Sequence, residues 1–164
     1  MAVTYLTDPQ EKRKLTKTIL ADLPEWFGLP ASTADYIEKS GQQTMIAAEK
    51  KGFLTLIKTS PSTAEIYVMG VLKAYHHQGI GKQLIQEAIR WCRKEKLSFL
   101  QVKTLADTHP DKHYQRTRAF YQKMGFLPVE IFPNLWGPEN PCLLMIQAVP
   151  ALENTRIPSL PMLK

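Results

Sequence analysis

A change of period in the middle of the chain does most to restrict the fold. From Gly79 onward, Ile80, Leu84, Ile85, Ala88, Ile89 and Cys92 recur on one side of a helix, while Lys82, Gln83, Gln86, Glu87, Arg90 and Arg93 fall on the other. A β-like run from Glu65 to Leu72 precedes this segment, and a second run, Phe99 to Leu105, follows it. Strand, helix and strand in that order form a crossover unit whose strands lie parallel in one sheet. The spacing therefore predicts an α/β fold.

The remaining elements frame that unit. A short strand is expected near Val3 to Leu6, then a helix from Pro9 to Leu23 with Leu15, Ile19, Leu20 and Leu23 on one face. Ser32 or Thr33 is expected to cap a second helix that runs through Tyr36 and Ile37 and ends at Gly41. Thr44 to Glu49 and Phe53 to Lys58 read as a hairpin, with Lys50-Lys51-Gly52 supplying a turn and its glycine. Gly70, inside the third run, marks either a bulge or a close backbone approach. A polar loop from Ala106 to Lys112 leads to a helix from Tyr114 to Met124, stopped by Gly125, and the strands Leu127 to Phe132 and Cys142 to Gln147 complete the sheet. One domain over 1–149 and a proline-containing tail or arm over 150–164 are expected.

Composition removes several classes. A chain of 164 residues, 44% hydrophobic and 22% charged, is long enough to bury about two-thirds of its unfolded surface in one core. No apolar run reaches the roughly 18 residues of a membrane-spanning helix, and the N-terminus lacks a signal pattern, so a cytoplasmic protein without membrane contact is expected. Cys92 and Cys142 form no CxxC pair, which indicates neither a disulfide framework nor a zinc module. The formal charge of +6 favours anionic partners. Its lysines and arginines are dispersed and not interleaved with aromatics, so no nucleic-acid partner is expected, although nucleic acid stays a rival reading of the surplus that a phosphorylated small molecule or cofactor explains equally well.

Chemistry concentrates where the third strand passes through His76-His77-Gln78-Gly79-Ile80-Gly81-Lys82 into a helix. First-turn amides have no intrahelical partner, the helix dipole places partial positive charge there, and glycines let an anion approach the backbone. The junction either cradles a phosphate or packs helix on sheet by a tight turn. A second motif follows in Arg116-Thr117-Arg118-Ala119-Phe120-Tyr121-Gln122-Lys123-Met124-Gly125-Phe126.

Together the two motifs resemble the GNAT superfamily of acyl-CoA-dependent N-acetyltransferases. The family's glycine signature, Arg or Gln, two residues, Gly, any residue, Gly or Ala, falls on His76, Gly79 and Gly81. Its later helix, with a tyrosine four residues before a Gly-Phe pair, falls on Tyr121, Gly125 and Phe126. His76 stands where the family has Arg or Gln, and Tyr114 stands where many members carry an asparagine near the cofactor. The resemblance implies a mixed central sheet flanked by helices, with two parallel central strands diverging at the cofactor site.

The resemblance also implies roles. Acetyl-CoA (coenzyme A) is the expected cofactor, bound by Val71, Lys73, Gln78, Gly79, Ile80, Gly81 and Lys82, with its pantetheine arm pairing like a strand between the diverging pair. An amine with a pKa of about 10.4 must lose a proton before it attacks, and Glu65 is the candidate base, directly or through water. A bulge near Gly70 would free the Val71 amide for the developing oxyanion. Tyr121 is the candidate acid for the leaving thiolate. The alternatives are an exposed strand-end carboxylate for Glu65 and a core aromatic for Tyr121.

Trp26, Phe27 and Trp136 read as packing anchors or, by the resemblance, as the lining of an acceptor pocket. Asp107, His109, Asp111 and His113 alternate in a polar loop around Pro110 and read as solvated, with no metal expected. The expected activity is acetyl transfer from acetyl-CoA to a primary amine, on a small molecule or a peptide, by direct attack in a ternary complex. The alternative is a non-catalytic acyl-CoA-binding regulatory module of the same fold. A homodimer is compatible with either.

Overall fold

The computed structural model describes residues 2–151, so of the expected tail, 152–164 lie outside the described residues. The chain runs β1 (Val3–Leu6), α1 (Pro9–Ala21), α2 (Pro30–Ser40), β2 (Thr44–Ala48), β3 (Gly52–Ser60), β4 (Thr63–Val71), α3 (Ile80–Lys94), β5 (Phe99–Leu105), α4 (Lys112–Lys123), β6 (Leu127–Phe132) and β7 (Cys142–Ala148). The strands form one mixed sheet of order β1-β2-β3-β4-β5-β7-β6, antiparallel at every pairing except β4 with β5. The crossover unit is thus parallel, as the period change predicts.

Alternation along the strands divides the core into two. Ile46 and Ala48 of β2 face a layer made by Ile80, Leu84, Ile85, Ala88 and Cys92 of α3 together with Tyr121 and Phe126. Met45 and Ala47 face the opposite layer, where Leu15, Ile19 and Leu20 of α1 pack on Phe53 and Val68. Burying each large α3 side chain contributes about 1.5–3 kcal/mol, which explains why that face is apolar throughout. Caps set the helix starts: Asp8 accepts from Glu11 N–H at 2.9 Å before α1, and Asp111 accepts from His113 N–H at 2.8 Å before α4. Asp111 thereby finds its use as a cap in the loop that alternates Asp and His.

Three local expectations differ from the structure. Pro30 opens α2 behind Leu29, which offers no side-chain cap, and Ser32 and Thr33 lie inside the helix. The fixed φ of proline suits a first helical turn and needs no N–H there. In the β2–β3 hairpin the left-handed residue is Glu49, at φ 52°, while Gly52 begins β3. The bulge in β4 falls at Tyr67, between Ile66 opposite Leu56 and Val68 opposite Thr55, whereas Gly70 pairs in register with Phe53. Gly70 is the close approach: a Cβ there would lie 3.0 Å from Ile19 and Leu23 of the layer behind it.

The bulge has an architectural consequence. Pairing of β4 with β5 runs from Thr63 opposite Phe99 to Ile66 opposite Val102 and stops at the residue before the bulge. β3 stays with β4 as far as Val71, and β7 stays with β5 as far as Leu105. Each central strand keeps its outer neighbour while the two part from one another, because an extra residue bends the strand that carries it.

Candidate active site

The parted strands make a fork, and the main chain of β4 faces into it. Leu72 N–H donates to Lys51 O on the β3 side at 2.9 Å, so the preceding residue, Val71, turns its amide and carbonyl the other way, toward β5. Val71 O accepts from His76 Nε2 at 2.6 Å, which fixes the hydrogen on that nitrogen. The Val71 amide is therefore presented to the fork by strand alternation downstream of the Tyr67 bulge, and not by a bulge at Gly70.

Beyond Val71 the chain makes a 3-10 turn over Lys73–Tyr75 and reaches α3 through His77 and Gly79, both left-handed at φ 62° and 82°. Gly79 is the N-cap residue of α3 and provides no side-chain cap, and a Cβ added to it would meet nothing within 4 Å. First-turn amides with no capping side chain and open space before them suit an anion. The two signature glycines have different reasons. At Gly81 a Cβ would lie 3.0 Å from the Phe120 ring, so this glycine lets α3 and α4 approach.

The other expected cofactor residues are distributed around this junction. Gln78 and Lys82 are exposed on the loop and first turn, while Ile80 is buried and contributes only backbone. Lys73 is held elsewhere: its ammonium bonds Glu25, keeping that carboxyl below its usual range, and its N–H donates to Asp22 at 2.7 Å.

Side chains reach the fork from both layers. Tyr121 of α4 is 6% exposed, packed edge-on against Phe126 at 5.6 Å between ring centroids. Among the described residues its hydroxyl has no hydrogen-bond partner. Burial, then the neighbouring Tyr114 and Tyr36, push this phenol well above its ordinary value. Tyr114 is pushed up to about 12, mainly by burial, and its hydroxyl donates to Trp26 O at 2.6 Å. Tyr36 of α2 lies on the opposite layer, yet it perturbs Tyr121 and is itself raised by burial, Tyr67, Asp35 and Glu65.

Glu65 departs from the exposed strand-end carboxylate. It is 5% exposed, its Oε1 accepting from Gln101 Nε2 at 2.8 Å and pairing with Lys103 Nζ at 3.0 Å. Gln101 stands directly opposite Glu65, and Lys103 is the first β5 residue past the last pair, so Glu65 sits where the fork begins. Both donors use Oε1, and among the described residues Oε2 has no protein partner. Lys103, Gln101, Tyr36 and Tyr67 escaped the sequence reading. Gln101 and Lys103 left a trace, as alternate polar residues in an otherwise apolar central strand; the two tyrosines left none.

The three aromatic candidates separate. Trp26 packs edge-on against His113 at 4.9 Å and His76 at 6.0 Å and donates to Thr117 Oγ1 at 3.0 Å, spanning from the glycine loop to α4. Phe27 packs on Tyr36 at 5.9 Å. Trp136 is 40% exposed in the β6–β7 loop, which lies at the open end because Cys142 pairs with Leu105. Cys92 and Cys142 are buried free thiols, raised by burial to about 11.

A fork between two parallel strands, capped by an open helix N-terminus, coincides with a sequence match. The family model described as "Acetyltransferase (GNAT) family" matches residues 13–126. The chain belongs to the GNAT acetyltransferase family. This family binds acetyl-CoA. The open side of Gly79 and the uncapped α3 N-terminus fit its pyrophosphate, and the main chain of β4 facing the fork fits its arm.

Solved structures share the fold. A GNAT-family protein from Desulfovibrio desulfuricans superposes with TM-score 0.76 at 16% identity, over 91% of this chain and 100% of that one. The ribosomal-protein-S18-alanine N-acetyltransferase of Escherichia coli superposes with TM-score 0.67 at 18% identity, over 94% and 99%. An aminoglycoside 6'-N-acetyltransferase from Enterococcus faecium also gives 0.67, at 17% identity over 93% and 99%. No curated protein matches the chain in sequence. Among the described residues, no helix is long and apolar enough to cross a membrane.

Proposed function

We propose that this GNAT acetyltransferase is a cytoplasmic N-acetyltransferase, one domain over 1–149, that acetylates a primary amine by direct attack in a ternary complex. What supports the reading is a pair of buried groups, Glu65 beside the point where β4 and β5 part and Tyr121 of α4; among the described residues Glu65 Oε2 and the Tyr121 hydroxyl have no partner. Acetyl-CoA, when bound, supplies an activated thioester. Gly79, the first-turn amides at Ile80 to Lys82 and the exposed Gln78 hold its phosphates, and the amide of Val71 is oriented to donate to the acyl oxygen.

The amine must shed a proton to attack. Glu65 accepts that proton at Oε2, directly or through water, while Gln101 and Lys103 keep Oε1 occupied and the carboxylate fixed. As the nitrogen–carbon bond forms and the carbon–sulfur bond breaks, Tyr121 gives its proton to the sulfur. A phenol raised by burial keeps its proton at neutral pH until a strong base appears beside it. The test is release of free thiol from acetyl-CoA in the presence of amines, with N-acetyl product identified by mass. Binding of acetyl-CoA without thiol release to any amine would leave the non-catalytic module.

A further inference from the structure

We propose that the acceptor is an amine with a single positive charge carried on an apolar or aromatic body, and that the site rejects polycations. The inference rests on the reading of the fork as an amine-acetylation site and specifies its substrate class. Its first support is how the carboxylates around the fork are spent. Glu65 is bonded to Lys103 and Gln101, Asp35 to Lys39 at 2.9 Å, Glu38 to Arg13 at 3.5 Å, and Glu25 through Oε1 to Lys73, its buried Oε2 having no partner among the described residues. Asp22 accepts from the Lys73 amide and Asp111 caps α4. Among the described residues, Glu11, Asp107, Glu130 and Glu139 lack such partners, and all four are exposed.

One ammonium has a partner in Glu65 Oε2. A second or third on the same molecule would leave water for a region where Lys39 and Lys103 already stand, and like charges in one site disfavour the complex. Lys39 is the sharper obstacle. Its Nζ lies 3.3 Å from the Tyr67 hydroxyl and 5.7 Å from the centre of that ring, so the protein's own cation already uses this aromatic face.

The second support is the lining. Phe27, Tyr36 and Tyr67 form an edge-to-face series with centroids 5.9 and 5.5 Å apart. Leu29, before α2, is 61% exposed, and Leu135 and Trp136 of the β6–β7 loop are 56% and 40% exposed. Such a rim gains by covering an apolar body and gains nothing from a polyhydroxylated or polyamine chain.

The experiment compares kcat/KM for 2-phenylethylamine, spermidine and kanamycin on the intact protein at saturating acetyl-CoA, with cofactor binding measured separately by calorimetry. The expected result is a preference of about tenfold or more for 2-phenylethylamine. Equal or better turnover of either polycation overturns the substrate class and leaves amine acetylation standing. Turnover of none of the three, with acetyl-CoA still bound, overturns the substrate class, whereas amine acetylation itself falls only if no amine releases thiol. Lys39→Met then tests the cause, because it removes the resident cation and releases Asp35 at an exposed position. It should raise spermidine turnover relative to 2-phenylethylamine by about fivefold, and an unchanged ratio overturns the charge argument.

Discussion

The two ends of the β4–β5 pair use the same strands for opposite purposes. At the closed end, Thr63–Ile66 and Phe99–Val102 complete their ladder, and Glu65 clasps Gln101 and Lys103 across it. At the open end, the Val71 amide faces away from β3, and among the described residues the Tyr121 hydroxyl has no partner. A satisfied hydrogen bond stabilises a fold, whereas an unsatisfied one costs stability until a ligand completes it. Substitutions at the closed end should therefore register in stability, and substitutions at the open end in binding and turnover.

The largest effect is expected at the α3 N-terminus. Gly79→Glu should abolish acetyl-CoA binding in calorimetry, because its carboxylate enters the open space that an anion would occupy. Gly79→Asn is the control, since asparagine tolerates φ 82° better than most residues and carries no charge. It should retain most of the affinity. Gly81→Glu is a poorer probe, because the clash with Phe120 would disturb packing whatever the ligand does. Unchanged affinity in Gly79→Glu would break the assignment of this end to the cofactor.

Tyr121→Phe should come next, lowering kcat by about 10²-fold or more while the cofactor dissociation constant and the melting temperature hardly move. Glu65→Gln should do less to the rate at high pH but more to the fold. It should lower kcat/KM most where the amine is protonated, recover partly at high pH where the amine is already neutral, and lower stability by about 1–3 kcal/mol in urea unfolding by leaving Lys103 facing a neutral amide. Equal melting temperatures for the two variants would erase the difference between the ends.

The smallest effect concerns alkaline pH. Cys92 and Cys142 hold their protons to about 11 when folded, whereas an unfolded thiol releases its proton near about 8.5. Between those values the unfolded chain binds fewer protons than the native one, so stability present below pH 8.5 should be lost as pH rises toward 11. The melting temperature should fall by about 5 °C or more across that window. A thiol reagent sharpens the contrast, since Cys142 lies opposite Leu105 at the open end and Cys92 lies in the α3 layer. Faster labelling of Cys142 in the folded protein would show that water enters the fork.

How far the chain could be read in advance depends on the range of the interaction. The α3 face and the bounds of β6 follow from periodicity and near neighbours, and the structure places them where the pattern does. α2 starts ahead of the capping signal at Ser32 and Thr33, because Pro30, two and three positions earlier, overrides it by geometry. Gly70 announced an irregularity in the right strand, but the extra residue is Tyr67, where nothing in the local sequence suggests a bulge. Its position depends on the register against β3, a contact between separate segments.

The same distinction runs through the site. Glycines before an amphipathic helix, and a tyrosine four residues before Gly-Phe, are local patterns, so the cofactor loop and Tyr121 could be found along the chain. The partners of those residues could not. Lys103 meets Glu65, Phe120 meets Gly81, Tyr36 packs on Tyr67, and Lys73 is claimed by Glu25, each from an element distant in sequence. Periodicity records which side of an element avoids water; which charges neutralise one another, and which oxygen is left free, is settled when strands and helices pack, because electrostatic and hydrogen-bond energies depend on distances that no spacing along the chain encodes.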